Sequence, residues 1–355
     1  MQSDGENEVF RVLALCTLGE AVPFRDSDEY WIQQRRLLPH AQASLHRVQD
    51  KEKANRDVYE CWALDRLANT LEGQDRHAEA EDACLQALAG YEKALGPEHE
   101  ATLSTVNNLG NLYTRQGRLE EAEKMYKRAL VGREKALRPE HTSTLDTVNT
   151  LETVNNLGNL FSEQGRLEEA EKMYKRALVG TEKALGPEHT STLEIVNNLG
   201  VLFLKQGRLE EAEKMYKRAL VGTEKALGPE HTLTLDTVYN LGNCYQAQGE
   251  LAESKKQFER ALAGYEKAYG PRHKETVDAA NRLRELQATF DESSSDSGLV
   301  HREPENSKRL NSHISQRTTP LSLPSLAISS SMFSTEGKKH RPRKRDALFR
   351  KLRLR

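Results

Sequence analysis

The sequence lacks the features of a membrane protein and of a protein with one large closed core. Hydrophobic residues make up 37% of its 355 residues and aromatic residues 6%, whereas charged residues make up 30%. This composition is typical of long exposed helices with narrow apolar faces. The apolar run VLALCTLGEAV near the start is interrupted by Gly19 and Glu20. We therefore expect neither a signal peptide nor a membrane span.

Cysteines and catalytic motifs are scarce as well. No C-x-x-C pair is formed by the four cysteines, which are Cys16, Cys61, Cys84 and Cys244. We expect no disulfide framework, no metal site and a reducing, cytoplasmic setting. The motifs G-x-S-x-G and H-E-x-x-H and a glycine-rich phosphate loop are missing. The sequence thus predicts a protein that is not an enzyme and uses no cofactor.

What the chain has in abundance is repetition. The stretch RLEEAEKMYKRALVG occurs unchanged at residues 118–132, 166–180 and 208–222. A marker proline recurs with spacings of 42, 48, 42 and 42 residues, at Pro97, Pro139, Pro187, Pro229 and Pro271. The period is therefore 42 residues, with one insertion of six that duplicates TLDTVN as TLETVN within residues 144–155. A fixed period of this length is typical of solenoid proteins.

Each period contains two helical patterns. The first, as in TLSTVNNLGNLYTRQ, has apolar residues at three-and-four spacing until Gly117 interrupts it. The second, LEEAEKMYKRALVGREKAL, has one apolar stripe and leaves glutamate and lysine outside. Each unit is predicted to be a helical hairpin, and about five hairpins are expected between residues 55 and 290.

The hairpin pattern resembles the tetratricopeptide repeat, in which small residues let paired helices pack closely. The second unit carries this resemblance at Val106, Leu109, Gly110, Tyr113, Ala122, Tyr126 and Ala129. The resemblance implies an all-α, right-handed solenoid with units at 55–97, 98–139, 140–187, 188–229 and 230–271 and a capping helix at 272–290. Residues 1–54 are predicted to be an N-terminal helical segment, and residues 291–355 a disordered, serine-rich tail.

The 42-residue length and the Gly-Pro-x-His ending resemble two groups of repeats. One is found in kinesin light chains, and the other in the C-terminal arrays of fungal NB-ARC signalling proteins. The N-terminal segment resembles the stretch before the repeats in the fungal group, and sustained heptads, as in a kinesin light chain, are missing. No NB-ARC phosphate loop is present.

A histidine stands two residues after each marker proline, at His99, His141, His189, His231 and His273. Equivalent residues of stacked hairpins lie about 10 Å apart, too far for a shared metal ion. We expect a structural role for this loop. Gly186 should end one helix with positive φ, Pro187 should prevent its continuation, and Glu188 with Thr190 or Ser191 should cap the next helix.

The duplicated hexapeptide poses a problem of register. Six helical residues turn the chain by about 600°, so the two copies cannot both face the neighbouring helix. We expect the copy nearest Gly158 to pack, and the earlier copy to extend the helix or to loop out.

The resemblance also places a binding groove on the first helices, which line the concave surface of tetratricopeptide proteins. Its residues here are Asn69, Asn107, Asn111, Arg115, Asn155, Asn159, Asn197, Lys205, Tyr239 and Asn243. Asparagines could hold the backbone of an extended peptide, and the positions that vary between units could select its sequence. Alternatively, the asparagines satisfy neighbouring helices or water. The lysines and arginines of a chaperone-binding clamp are not at the matching positions.

The end of the chain differs in charge from the rest. Residues 338–355 contain ten lysines and arginines and one acid, Asp346, on a chain of net charge −2. The segment Lys338 to Arg345 could be a nuclear import signal, and the tail could bind nucleic acid nonspecifically. The sequence predicts a scaffold that binds a protein or peptide, as the sensor of an NB-ARC system or alternatively as a kinesin-light-chain-like cargo adaptor. It does not predict an oligomeric state.

Overall fold

The computed structural model describes residues 36, 39–40, 56–72, 74, 76–136 and 144–295. The ranges from residue 56 onward hold eleven α-helices and no strand. The helices are α1 Val58–Glu72, α2 His77–Leu95, α3 Glu100–Arg115, α4 Leu119–Ala136, α5 Thr144–Glu163, α6 Leu167–Leu185, α7 Thr190–Lys205, α8 Leu209–Leu227, α9 Thr232–Gln248, α10 Leu251–Tyr269 and α11 Lys274–Ser295.

Consecutive helices pack in pairs, which we number hairpins 1 to 5 from α1–α2 to α9–α10. The second helix of each hairpin also packs against the first helix of the next, and α10 packs against α11. This arrangement confirms the predicted all-α repeat solenoid. The helix α11 ends at Ser295, so the first five residues that we assigned to the tail are helical. The rest of the tail and nearly all of segment 1–54 lie outside the described residues.

A glycine lies where the two helices of a hairpin come closest. In hairpin 3, a Cβ atom added to Gly158 would stand 2.7 Å from Cε1 of Tyr174. This close approach also fixes the register of the duplicated hexapeptide. If the first copy took the packing positions, Glu152 would fall at the place of Gly158 and collide with the tyrosine.

The earlier copy extends the helix. The helix α5 has 20 residues, whereas α7 has 16, because α5 begins with the first copy at Thr144. The second copy supplies the buried Leu151 and Val154. The structure therefore shows the first of the two outcomes that we considered.

The histidine itself caps the helix, which corrects our assignment of the cap. Gly186 has φ 93° as expected, and His189 adopts an extended conformation with φ −69° and ψ 142°. Its Nδ1 atom accepts a hydrogen bond from the backbone N–H of Ser191 at 3.2 Å. His99 and His231 cap α3 and α9 in the same way. The extended backbone directs the imidazole over the first turn, and His141 lies outside the described residues.

Neighbouring hairpins are joined by arginine clasps, in which each arginine directly precedes the second helix of its hairpin. The guanidinium of Arg118 lies 4.1 Å from the ring centroid of Tyr113 and bonds Glu81 of the preceding hairpin at 2.8 Å. Arg166 and Arg208 repeat this arrangement. In the ion pairs that join hairpins, the acid belongs to the preceding hairpin and the base to the following one.

Candidate functional site

The candidate site lies on the first helices and is located from the glycine at which each of them crosses its second helix, which is Gly110, Gly158, Gly200 or Gly242. We define the groove face as the side that carries the residues one, four and five positions after this crossing glycine. Between neighbouring hairpins, a residue at the fourth position meets one at the fifth position, and we call this pair a rung. Arg115 Nε lies 3.0 Å from Glu72 Oε1 in the first rung. Lys205 Nζ donates to Ser162 Oγ at 3.0 Å in the third.

The chemistry of the rungs changes along the stack. The repeat places Thr114 and Glu163 at the second rung, and Leu204 and Ala247 at the fourth. The series therefore runs from an ion pair, through two rungs that each combine a hydroxyl with a charged group, to an apolar rung. The arginine clasps, in contrast, keep the same chemistry in hairpins 2, 3 and 4.

The charged groups of the groove face interact with one another. Burial lowers the pKa of Lys205, and the nearby Glu163 partly restores it. Burial likewise raises the pKa of Glu163, and Lys205 opposes that rise. Because Arg115 is paired with Glu72, the face offers a partner little uncompensated charge.

Three predicted groove residues, Asn107, Asn155 and Asn197, lie between hairpins. They are only 2%, 7% and 7% exposed. Each accepts a hydrogen bond at its Oδ1 atom from an asparagine of the next hairpin, from Asn156 at 3.4 Å, Asn198 at 3.2 Å and Asn240 at 3.3 Å respectively. We call this series the asparagine ladder. It supports the interpretation in which these side chains satisfy neighbouring helices.

An aspartate takes the same place at the start of the ladder. Asp65 accepts from Asn108 Nδ2 at 3.3 Å. Burial raises the pKa of Asp65 to about 6, and the hydrogen bond from Asn108 opposes that rise.

The predicted residues that directly follow the crossing glycine divide into two groups. Asn111 and Asn159 each accept a 2.6 Å hydrogen bond from a tyrosine of their own hairpin, Tyr126 and Tyr174. In hairpin 5, Phe258 stands where those tyrosines stand, so Asn243 has no such hydroxyl to bond and its side chain interacts with Tyr239 instead.

The remaining predicted residues are partly exposed. Asn69, Arg115 and Tyr239 are half-buried, and Lys205 is exposed. The ring of Tyr239 lies 5.3 Å from that of Phe258. The structure therefore places some predicted residues on the groove face and the ladder residues beneath it.

The sequence analysis did not single out the donors of the ladder. These residues are Asn108, Asn156, Asn198 and Asn240, which follow the predicted position by one residue. The pair Asn-Asn before Leu-Gly could have indicated them. Two adjacent residues of a helix point in different directions, so only one of the two asparagines can face the groove and the other must face a neighbouring helix.

Other kinds of site find no support in the described ranges. No group of three histidine, cysteine, aspartate or glutamate side chains could hold a metal ion there. None of the described helices is long and apolar enough to cross a membrane. Cys61, Cys84 and Cys244 are buried free thiols, and burial raises the pKa of Cys61 to about 12 and that of Cys244 to about 11.

The repeats match a known family. The sequence profile described as tetratricopeptide repeat matches residues 59–135, 149–225, 196–267 and 233–290, which together span more than half of the chain. The chain belongs to the tetratricopeptide repeat family. Members of this family serve as scaffolds for protein–protein interaction, so this chain has the architecture of a non-enzymatic interaction scaffold. No curated protein sequence matches it.

Solved structures with similar folds include proteins of the kinesin light chain type. Nearly identical TPR-like repeats from a Podosopora anserina protein assigned as a kinesin light chain show 23% identity, cover 60% of this chain and 99% of their own, and have a TM-score of 0.48. BtubC (BKLC) from P. vanneervenii shows 20% identity, covers 77% and 96% respectively, and has a TM-score of 0.49. Both scores are below 0.5, so the family assignment stands on the sequence profile.

Proposed function

We propose that this tetratricopeptide repeat protein holds an extended segment of a partner protein on its groove face. The observation that carries the proposal is the contrast between the rungs and the clasps. The clasps in hairpins 2, 3 and 4 repeat an arginine, an aromatic ring and a glutamate, whereas the rungs change from an ion pair, through pairs of a hydroxyl and a charged group, to two apolar side chains. A scaffold that only needed to stack would have no use for this variation, but a selective binding surface would.

The asparagines take a different part in this proposal from the one that their sequence positions suggested. Asn107, Asn155 and Asn197 hold adjacent hairpins at a fixed spacing through the ladder. The residues that would select a partner are those of the rungs. We infer that the apolar rung, formed by Leu204 and Ala247 beside Val201, accepts an apolar side chain of the peptide.

Peptide selection on the full-length protein tests this proposal. Random peptides displayed on phage are selected, and the strongest binder is synthesised and titrated against two variants. Leu204→Glu changes the apolar rung and should weaken binding about tenfold or more. Val221→Glu is the matched control, because Val221 lies in the same hairpin, on the second helix, and is 68% exposed. Equal binding by both variants, or greater loss in the control, would show that peptides bind elsewhere.

The cellular role of the scaffold is proposed separately from its binding surface, and two roles are considered. We propose that the scaffold is the sensor or adaptor part of an NB-ARC-type signalling system, because its N-terminal segment resembles that group and lacks sustained heptads. A kinesin-light-chain-like cargo adaptor is the alternative. Purification of the tagged chain from its source cell should recover a nucleotide-binding NB-ARC chain in the first case and a motor heavy chain in the second.

The location in the cell is the subject of a further proposal, and the basic tail suggests its alternative. We propose a cytoplasmic protein, and nuclear import through Lys338 to Arg345 is the alternative. A fluorescent fusion lacking residues 338–355 should show the same distribution as the full chain. A shift out of the nucleus on deletion would establish the import signal instead.

A further inference from the structure

The junction between hairpins 2 and 3 contains a buried arginine that its counterparts lack. The position is occupied by Arg133 in hairpin 2 and by threonine, Thr181 and Thr223, in hairpins 3 and 4. The threonine hydroxyls donate to carbonyl oxygens of their own helices, at 3.0 Å to Ala177 and 3.2 Å to Leu220. Arg133 is only 4% exposed, and its guanidinium reaches beyond its own helix.

The guanidinium of Arg133 joins the first helices of two hairpins. Its Nη1 atom donates to the carbonyl oxygen of Asn149 at 2.9 Å and to the hydroxyl of Thr153, both in α5. Its Nη2 atom donates to Glu100 Oε1 and to Ser104 Oγ, each at 2.9 Å, in α3. A planar group with several fixed donors suits such a bridge, because one ammonium group could not reach both helices.

The contact with Asn149 depends on the insertion. Asn149 is the last residue of the extra hexapeptide, and its Nδ2 atom also donates to Glu100 Oε1 at 3.0 Å. The corresponding residues of α3 and α7, Ala101 and Ser191, lie in the first turn directly after the histidine cap. Two departures from the repeat, one in α4 and one in α5, therefore meet at a single point.

The same bridge reaches the asparagine ladder. The hydroxyl oxygen of Thr153 accepts from Arg133, and its single proton is shared between two acceptors at 3.2 Å, Asn107 Oδ1 and the carbonyl oxygen of Asn149. Asn107 is the ladder residue that joins hairpin 2 to hairpin 3 through Asn156. Arg133 is thus two hydrogen bonds away from the contact that spaces these hairpins.

We propose that Arg133 is a positioning residue that clamps the extra hexapeptide into α5 and so sets hairpin 3 against hairpin 2. The arginine and the duplication form one joint, in which each is stable only with the other. The joint lies near the N-terminal ends of α3 and α5, whereas the second rung lies at their C-terminal ends, so the joint would act on the groove face only through the spacing of the two hairpins. It would exist whether or not that face binds a peptide.

A cycle of four full-length proteins tests the coupling. They are the unchanged chain, Arg133→Thr, a deletion of residues 144–149, and the combination of both. Each single change should lower the urea midpoint, because it breaks the contact between Arg133 and Asn149 and leaves the remaining buried groups of the bridge incompletely bonded. The combination should recover most of the loss, since the deletion recreates the order PEHTSTLE of residues 187–194. Additive losses would overturn the proposal.

Hydrogen exchange supplies a local measurement that a general loss of stability would not reproduce. Arg133→Thr should speed amide exchange at residues 146–150 about tenfold or more. The first turn of α7, residues 190–194, is the internal control and should keep its rate. Equal acceleration in both turns would contradict a local clamp.

Two milder variants keep the test decisive if the deletion fails to fold. Thr153→Ile removes one contact of the bridge and introduces the residue that hairpin 4 has at Ile195; it should speed exchange at residues 146–150 less than Arg133→Thr does. Thr181→Arg buries an arginine at a junction without the extra turn and should lower the urea midpoint. A midpoint unchanged by Thr181→Arg would show that arginine needs no inserted partner, and the proposal would be wrong.

Discussion

Hairpins 3 and 4 have second helices of identical sequence, Leu167–Leu185 and Leu209–Leu227, but these helices face different first helices. Tyr174 donates to Asn159 Oδ1 at 2.6 Å. The equivalent hydroxyl, of Tyr216, is buried and has no partner in the described part of the chain. The reason is that Val201 stands where hairpin 3 has Asn159. The two identical helices therefore share their packing against the glycine but not the hydrogen bond of the tyrosine.

The comparison also explains why Tyr216 is tolerated. An unpaired buried hydroxyl costs about 1–3 kcal/mol. The ring of Tyr216, however, fills the space over Gly200, where an added Cβ atom would stand 2.7 Å from the ring, as at Gly158. Removing such a ring from a core costs about 3–5 kcal/mol, so packing outweighs the missing hydrogen bond.

The largest expected difference between the hairpins is one of pH dependence. Burial raises the pKa of Glu152 to about 8, and Glu194 and Glu100 raise it further while Arg133 opposes the rise. The folded protein therefore holds a proton that the unfolded chain releases near pH 4.5. Glu152 thus contributes full stability below pH 4.5, and this contribution is lost as the pH rises through about 8.

The free energy of unfolding should fall with pH by at most about 1.4 kcal/mol per pH unit, because one proton is released. Urea unfolding between pH 5 and 9, a range of about four units around these pKa values, should show a smaller slope in Glu152→Gln than in the unchanged chain. Some slope should remain, because burial also raises the pKa of Asp65 to about 6 and that of Asp236 to about 7. Glu194→Gln is the matched control in hairpin 4 and should keep the slope of the unchanged chain. An equal slope in Glu152→Gln and the unchanged chain would assign it to other groups.

A second pair of variants should affect the two hairpins equally. Gly158→Ala and Gly200→Ala each place a methyl group against a tyrosine ring, and each should lower the free energy of unfolding by about 1–3 kcal/mol. Chemical denaturation measures both losses. Values that differ by more than about 1 kcal/mol would mean that the two crossings are packed differently.

Removing the tyrosine hydroxyls should change the free energy of unfolding differently in hairpins 3 and 4. Tyr174→Phe leaves Asn159 without its donor and should cost about 1 kcal/mol. Tyr216→Phe removes a hydroxyl that has no partner, so it should be neutral or slightly stabilising. Equal losses in urea unfolding would show that Tyr216 has a partner after all.

The smallest effect is expected from restoring the missing partner. Val201→Asn gives Tyr216 an acceptor at the position of Asn159 and should stabilise the protein by less than about 1 kcal/mol. The gain should vanish in the background of Tyr216→Phe, which a double-mutant cycle measures. A gain that persists there would come from another contact.

The hairpins could be predicted from the sequence because their causes are local. Apolar spacing around Leu109 and the small residue Gly110 decide which faces meet within one unit. The histidine cap at His189 could not be predicted in this way. A cap depends on the extended backbone of that residue, and the sequence offered two more usual capping residues beside it, Thr190 and Ser191.

The candidate site was harder to predict than the fold. Asn155 and Asn197 occupy positions that line a groove in the family, yet their partners, Asn198 and Asn240, come from the next hairpin. The offset between hairpins decides whether an amide reaches its neighbour or water, and no single unit contains that information. The bridge of Arg133 was hidden for the same reason, because its partners are 16 to 33 residues away in the chain.

The single direction of the ion pairs between hairpins has a consequence for how such a chain can grow. A duplicated hairpin carries acids for its successor and bases for its predecessor, so an internal copy meets matching charges on both sides. The last hairpin keeps only part of this pattern, because Glu266 retains the acid found at Glu224, whereas Lys255 and Arg272 stand at the positions of Glu213 and Glu230. A copy of hairpin 4 added there would meet one matching acid and two bases, so this end of the array would accept another copy less well than an internal junction does.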